Sequence, residues 1–352
     1  MSRVKDLVIS ILVLKAYFFF LILFPFSLVL AKFIKKNNQK NLFVIFATNL
    51  SNEKKIKYKH NYNIINSIKE AGYDFKFHQF NENNKIYKKT FSNLIWFIKI
   101  IKLNPRYLYF YSDNQSKGNY PSIVIFYLIS KIIKCKTICI SHDYIWKINY
   151  KFKLQNRKFF DVILAQPFAY FKNKKILFTE PWLTSKKLHC KPSNNRKYEI
   201  TFIGRAIDRR LKMINKLKNE GIKINTYGPG FKKVLTNKEY IKMLQRSKIT
   251  INFNNRQYDY NLKFLSQSKG RVLESISFGC LLFEEKNEFT EEIFKNKKHY
   301  VEFKNYQDLK YKLNFYKKNY DKLGIKIAQE GHDYLKKNYS PKLIWSKIFS
   351  NI

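Results

Sequence analysis

The sequence predicts an α/β protein in which two Rossmann-like domains face a cleft, preceded by an N-terminal hydrophobic membrane helix. From residue 41 onward, short apolar segments of strand length alternate with helical segments, which is typical of parallel sheets covered by helices. The alternation stops at the polar stretch 184–197, which contains Pro192, and then starts again. A long apolar run precedes both units. Together these observations predict an anchor followed by two α/β domains.

Residues 7–31 form the apolar run, and about 20 such residues suffice to cross a bilayer as a helix. Lys15 near its centre costs roughly 2.5 to 3.5 kcal/mol on insertion, although its side chain can extend toward the N-terminal interface. A cleaved signal peptide and an interfacial helix are the alternatives. Because the run exceeds the roughly 7 to 15 apolar residues of a signal peptide, we interpret residues 1–36 as a membrane anchor with a basic flank.

The charges beside the run predict its orientation. The basic residues are Arg3 and Lys5 before it, and Lys32, Lys35, Lys36 and Lys40 after it. Since cytoplasmic flanks of membrane helices are the more basic ones, we expect the rest of the chain at the cytoplasmic face of the inner (plasma) membrane. The four cysteines have neither zinc-site spacing nor a disulfide framework, which also favours a reducing compartment.

The formal net charge of +43 comes almost wholly from lysines spread along the 352 residues. No nucleic-acid-binding motif accompanies this charge, so we exclude nucleic acid as a partner and retain an anionic membrane surface. Arginine is more informative, because its planar guanidinium suits phosphate and carboxylate. Of only ten arginines, six lie between positions 205 and 271. This clustering predicts an anion site there, with chance clustering of a rare residue as the alternative.

We assign residues 37–185 to the first α/β domain. Its predicted strands are 42–50, 73–78, 106–112, 136–143, 161–166 and 175–181, and its predicted helices are 61–71, 91–102 and 121–133. His142 and Asp143 stand where the fourth strand ends. Ligands of open parallel sheets bind at the carboxyl ends of strands, so these two residues are candidates for a cleft site. The alternatives are a hydrogen-bonded loop histidine and a turn-capping aspartate.

Residues 186–335 form the predicted second domain, and residues 336–352 a final helix that crosses back toward the first. The predicted strands are 198–204, 222–228, 248–254 and 280–285; the predicted helices are 210–220, 238–246 and one that holds Arg271 and Glu274. The sequence therefore predicts a second parallel sheet and a cleft between the two units.

Four features are candidates for one site, three at strand ends and the fourth on the helix that follows. They are Gly204 and Arg205; Gly228, Pro229 and Gly230; Asn252, Asn254 and Asn255; and Arg271 with Glu274. Residues three apart on a helix share a face, so Arg271 and Glu274 can address one ligand near a helix start that itself favours anions. A phosphorylated ligand with a hydroxylated sugar fits this combination. A surface arginine–glutamate pair and ordinary turns are the alternatives.

Five segments of the second unit carry a family resemblance. They are FIGRAIDRR, INTYGPG, KITINFNN, KGRVLESISFGCLLFEE and AQEGHDYLKKNYSPKLIW, within residues 198–345. In this order they resemble the group 1 glycosyltransferases of GT-B architecture, and within them the branch related to spore-maturation proteins. The resemblance implies a nucleotide-sugar donor domain, with Arg205 and Arg210 facing the donor diphosphate and Glu274 holding the donor ribose. Ser266 stands where the wider group has a first glutamate, so the stereochemistry of transfer stays open.

The first unit resembles the acceptor domain of these enzymes less closely, through KTICISHDYIW at 136–146. The resemblance makes His142, Arg210 and Arg271 the candidate catalytic residues. The candidate donor-binding residues are Gly204, Arg205, Arg210, Gly228, Asn254, Arg271 and Glu274. Because no Asp-x-Asp motif follows a strand and arginines can neutralise a leaving diphosphate, we expect a reaction without metal or cofactor.

The predicted function is transfer of a sugar from a nucleotide-activated donor to a glycan or lipid-linked acceptor in cell-surface polysaccharide synthesis. The alternative is a non-catalytic, membrane-attached protein that binds a glycan or nucleotide with a degenerate GT-B fold. Ser266, in place of a glutamate, is the residue that favours this alternative.

Overall fold

A computed structural model provides the structure of the protein. It describes residues 42–48, 59–80, 97–111, 130–141, 160–165, 176–178, 186–254 and 270–350, together with residues 18, 22, 25, 29 and 352. The predicted membrane helix at 7–31 lies almost wholly outside these residues. Within the described part of the chain, no helix is both long and apolar enough to cross a membrane.

The first unit contains a parallel sheet of six strands. They are β1 (Leu42–Thr48), β2 (Asp74–Phe80), β3 (Tyr107–Tyr111), β4 (Lys136–Ser141), β5 (Val162–Ala165) and β6 (Ile176–Phe178). Their order is β2-β1-β3-β4-β5-β6, with every neighbouring pair parallel. Helix α1 (Lys59–Glu70) connects β1 to β2, and residues 97–103 and 130–133 are also helical. All six predicted strands are therefore confirmed.

A second parallel sheet has five strands in the order β11-β10-β9-β7-β8. They are β7 (Tyr198–Ile203), β8 (Asn225–Tyr227), β9 (Ser247–Asn252), β10 (Leu281–Glu285) and β11 (Val301–Phe303). The order reverses between β7 and β9, and ligands bind at such a switch point in open sheets. The apolar core beneath the sheet is closed to solvent. Four of its residues are at most 1% exposed: Ile200, Phe202, Ile249 and Leu281.

Among the residues that the structure describes, five α-helices follow β7 before the last helices of the chain. They are α2 (Asp208–Asn219), α3 (Asn237–Gln245), α4 (Gly270–Ser277), α5 (Glu288–Ile293) and α6 (Tyr306–Lys318). Helix α3 begins with a capping box, in which Thr236 Oγ1 accepts from the backbone N–H of Glu239 and the Glu239 carboxylate accepts from the N–H of Thr236. Helix α4 is buried over nearly its whole length, which places its polar residues inside the protein.

The polar stretch between the sheets is fastened to the second unit by Arg196, which is 8% exposed. Its guanidinium donates to the carbonyl oxygens of Ser247 (2.9 Å), Lys191 (2.8 Å) and Phe278 (2.7 Å). A buried cation is stable only when its donors find acceptors, and backbone oxygens near the ends of α3 and α4 supply them. The Arg196 side chain thus ties the segment predicted to be a polar linker to the second unit.

The last helices return the chain to the first sheet. A π-helical turn (Tyr320–Gly324) leads into α7 (Ile325–Asn338), and α8 (Pro341–Phe349) packs on α1. Trp345 of α8 is fully buried and its Nε1 donates to Ser67 Oγ of α1 at 3.0 Å. The Phe349 ring stacks on Tyr107 of β3, with 4.2 Å between centroids. The carboxyl-terminal helix therefore joins the two units through an aromatic contact.

Candidate functional site

The loops that follow β7 and β8 touch beside the switch point of the second sheet. The backbone N–H of Gly204 donates to Tyr227 O at 2.8 Å, and that of Ala206 to Pro229 O at 2.8 Å. Gly228 has φ 123°, and a Cβ atom added there would overlap the carbonyl group of Gly204. Only glycine combines this backbone conformation with so close an approach. The structure thus brings Gly204 and Gly228, which end different strands, into one backbone surface.

Arg271 of α4 reaches across this surface. Its Nη1 donates to the carbonyl oxygen of Ile203, the last residue of β7, at 2.5 Å. A Cβ on Gly204 would lie 2.8 Å from the same nitrogen. The missing side chain of Gly204 is therefore what admits the guanidinium to the end of β7. Arg271 is partly buried, so its charge lies in a medium where it acts more strongly than in water.

Glu274, one helical turn further along α4, is 3% exposed. Its Oε2 accepts a hydrogen bond of 2.6 Å from the hydroxyl of Tyr240 on α3. Burial, followed by the charge of Glu274, raises the pKa of Tyr240 well above 10, so the hydroxyl remains a donor. The alternative of an arginine–glutamate pair on the surface is wrong for Glu274. Tyr240 was missed by the sequence analysis, since nothing in its spacing relates it to Glu274.

A second buried group lies at the ends of β9 and β10. Asn252 Nδ2 donates to Glu284 Oε2 at 2.7 Å and to Asn254 Oδ1 at 3.1 Å. Asn254 Nδ2 donates both to Glu284 Oε1 and to the carbonyl oxygen of Glu285, the latter at 2.6 Å. Sequence analysis singled out the asparagines but read Glu284 and Glu285 only as strand residues. Their pairing across neighbouring strands is what makes them a polar cluster.

Burial raises the pKa of Glu284 to about 8, opposed by the amide hydrogen bonds from Asn252 and Asn254 and reinforced by the charge of Glu285. Glu284 is fully buried. A carboxylic acid that keeps its proton on folding while the unfolded chain loses it near pH 4.5 stabilises the protein most at low pH. That contribution declines as the pH rises from about 4.5 to about 8.

We therefore expect the melting temperature of the wild type, relative to Glu284→Gln, to fall by roughly 5 °C between pH 5 and pH 8.5. The neutral amide cannot lose a proton, so the variant lacks this component of the pH dependence. Thermal unfolding at several pH values measures the difference. Glu239→Gln is the control. The hydrogen bond from Lys233 is the main reason that the pKa of the Glu239 carboxyl is lowered to about 2. The difference in melting temperature between the wild type and Glu239→Gln should therefore stay constant over this pH range. An equally constant difference for Glu284→Gln would contradict the expectation.

The three arginines at and just before the start of α2 differ in how far they are exposed to solvent. Arg205 is exposed, whereas Arg210 is only 7% exposed. Arg209 lies between them, with a 28% exposed side chain that pairs with Glu285 at 2.5 Å. His142 lies outside the described residues, so its predicted role stays a prediction. Among the residues that the structure describes, no cluster of three potential metal ligands occurs.

Most of this site, from Arg209 onward, lies in a part of the chain that matches a known family. Residues 209–350 match the family described as glycosyl transferase-like, which covers α2 and every later element. No curated protein matches the sequence significantly.

Solved structures share the fold over most of the chain. HepE from Anabaena, crystallised with UDP-glucose, is 8% identical with a TM-score of 0.60, covering 88% of this chain and 100% of HepE. A glycosyltransferase from Rickettsia africae is 13% identical with a TM-score of 0.53, covering 89% and 98%. TarM is 12% identical with a TM-score of 0.51 over 70% of this chain, which spans 54% of TarM. These structures show that the chain shares their fold, and the family model matches its second unit.

Proposed function

We propose that the protein transfers a sugar from a nucleoside-diphosphate donor to a glycan or lipid-linked acceptor. The observation that carries this proposal is the cluster at the switch point of the second sheet. There, Gly204 and Gly228 bring the ends of β7 and β8 together, Arg271 crosses the end of β7, and the buried Glu274 carboxylate lies one turn away on α4. A diphosphate needs the cation, whereas a ribose needs an acceptor for its hydroxyls.

The chemistry follows from this placement. A departing nucleoside diphosphate gains negative charge, and cations placed beforehand stabilise that charge without reorganising. Arg271 is already held by a backbone carbonyl, so little side-chain entropy is lost when it meets the ligand. Arg205 and Arg210 belong to the same proposed donor site, and His142 to the proposed acceptor side. We assign the transfer to arginines rather than to a metal ion.

Three finer elements belong to the same proposal. We place the chain in the spore-maturation-related branch of the group 1 enzymes. In that branch an arginine stands before the glutamate that holds the donor ribose, as Arg271 stands before Glu274. The apolar run 7–31 holds the enzyme at the cytoplasmic face of the inner membrane. Its acceptor is part of cell-surface polysaccharide synthesis, which a membrane-held active site would serve.

The test is direct measurement of donor use by the full-length protein in detergent or vesicles. UDP-, GDP-, ADP-, CMP- and dTDP-linked sugars are supplied with cell-envelope lipid extract, and release of the nucleotide is followed together with labelled sugar in the lipid fraction. We expect release from one nucleotide class, accelerated by the extract. A protein that binds a nucleotide sugar but never releases nucleotide, even with extract, would instead be the non-catalytic binding protein that Ser266 favours. Neither binding nor release would overturn the proposal.

A further inference from the structure

Glu285, at the carboxyl end of β10, holds two elements that flank the proposed donor site. Its Oε1 forms the ion pair with Arg209 Nη2 at 2.5 Å, and its Oε2 accepts from the backbone N–H of Asn254 at 3.1 Å. Its own carbonyl oxygen accepts from Asn254 Nδ2 at 2.6 Å. One residue thus ties the start of α2 and the segment after β9 to the end of β10.

Burying the Glu285 carboxylate costs free energy of folding, and a functional role for Glu285 would explain that cost. The Glu285 side chain is 5% exposed, and removing a carboxylate from water is repaid only by well-placed partners. Arg209, the second residue of α2, keeps 28% of its side chain exposed. A guanidinium has five N–H donors, so the pair with Glu285 leaves donors that can meet a ligand. The helix start beside it also favours anions.

We propose that Glu285 is a positioning residue, which orients Arg209 to bind the diphosphate of the donor. Arg209 is then a further cation that α2 contributes to the donor site, beside Arg210. This inference rests on the proposed function, since it assigns the diphosphate to that same site. Glu285 touches no substrate itself and acts through Arg209.

The direction in which Glu285→Gln changes nucleotide affinity distinguishes a positioning role from that of a negative charge that merely lies nearby. A negative charge near a bound diphosphate repels it, so neutralising Glu285 would tighten binding if the carboxylate did nothing else. If Glu285 positions Arg209, neutralising it frees the guanidinium from its orientation toward the ligand, and binding weakens. A purely structural role would lower the melting temperature without either change in affinity.

The experiment is isothermal titration of the full-length protein in detergent with UDP, GDP, ADP, CDP and dTDP. We expect Glu285→Gln and Arg209→Met each to weaken binding of the preferred nucleotide about 10-fold, the usual scale for one charge-assisted hydrogen bond. The double variant should bind no more weakly than Arg209→Met alone, because Glu285 acts largely through Arg209. Glu302→Gln, the same change at a 6% exposed glutamate on the neighbouring strand β11, is the matched control and should bind like the wild type.

Unchanged or tighter binding by Glu285→Gln, or a double variant whose loss is the product of the two single losses, would overturn the inference while leaving the proposed function intact. If Glu285→Gln does not fold, Arg209→Met provides the test, because Arg209 is the more exposed member of the ion pair. Wild-type nucleotide affinity in Arg209→Met would then refute the inference. A wild type that binds none of the nucleotides would overturn the proposed function and this inference together.

Discussion

Glu274→Gln is expected to lower kcat/KM for the nucleotide-sugar donor by about 100-fold, which corresponds to loss of one or two hydrogen bonds to a charged acceptor. The substitution keeps the shape of a buried side chain but replaces one acceptor oxygen by a donor. The Tyr240 hydroxyl already occupies Oε2 as a donor, so the amide group must turn toward either Tyr240 or the ligand. Steady-state kinetics with the donor identified above measures the effect.

Two further variants identify the cause of that loss. Tyr240→Phe removes only the hydrogen bond that orients Glu274 and should lower kcat/KM by about 10-fold or less. Glu199→Gln neutralises an exposed glutamate that pairs with Lys317, away from the strand-end cluster, and should leave kinetics unchanged. Circular dichroism and thermal unfolding show whether each variant is folded. A folded Glu274→Gln enzyme with wild-type kcat/KM would remove Glu274 from the donor site.

Gly228→Ala is expected to destabilise the protein by about 3 kcal/mol or more and to abolish transfer. The strain of a side chain at positive φ contributes about 1 to 2 kcal/mol, and overpacking against fixed backbone adds roughly 1 to 3 kcal/mol. The new methyl group would lie 2.8 Å from the carbonyl carbon of Gly204, so the ends of β7 and β8 must separate. Denaturant unfolding and the transfer assay measure the two effects.

Gly221→Ala is the matched control for this variant. Gly221 also has a positive φ, 84°, but a Cβ there meets no atom within 4 Å. It should therefore show only the backbone strain, about 1 to 2 kcal/mol, and normal transfer. Equal destabilisation of the two variants would mean that the contact between Gly228 and Gly204 has no energetic importance.

The strands were predictable because their signal is local. Runs such as those at 136–141 and 281–285 are apolar, rich in β-branched or bulky residues, and bounded by polar ones. Strand β11 was not predicted, because its three residues, Val301–Phe303, are too few to show the alternation of a strand. The prediction was too long for β8, predicted from 222 and observed from Asn225. Short edge strands depend on the neighbour that pairs with them, which no local pattern reports.

The candidate site was partly predictable for a different reason. Residues that end parallel strands come to one edge of the sheet, so Gly204, Gly228, Asn254 and Arg271 could be grouped before their distances were known. Tyr240, Glu284 and Glu285 could not, because each acts across a contact between separate elements. Arg209 and Arg210 are adjacent in sequence, and only their surroundings separate the partly exposed cation from the buried one.

The sequence by itself determined the alternation of strands and helices, the two-unit division and the glycine, arginine and glutamate positions of the proposed donor site. Tertiary structure alone decided which of those groups are buried and which donor each acceptor meets. Periodicity is a property of neighbouring residues, whereas burial and charge pairing arise between residues far apart, such as Arg209 with Glu285 and Ser67 with Trp345. Their energies depend on the medium that the whole fold creates around them.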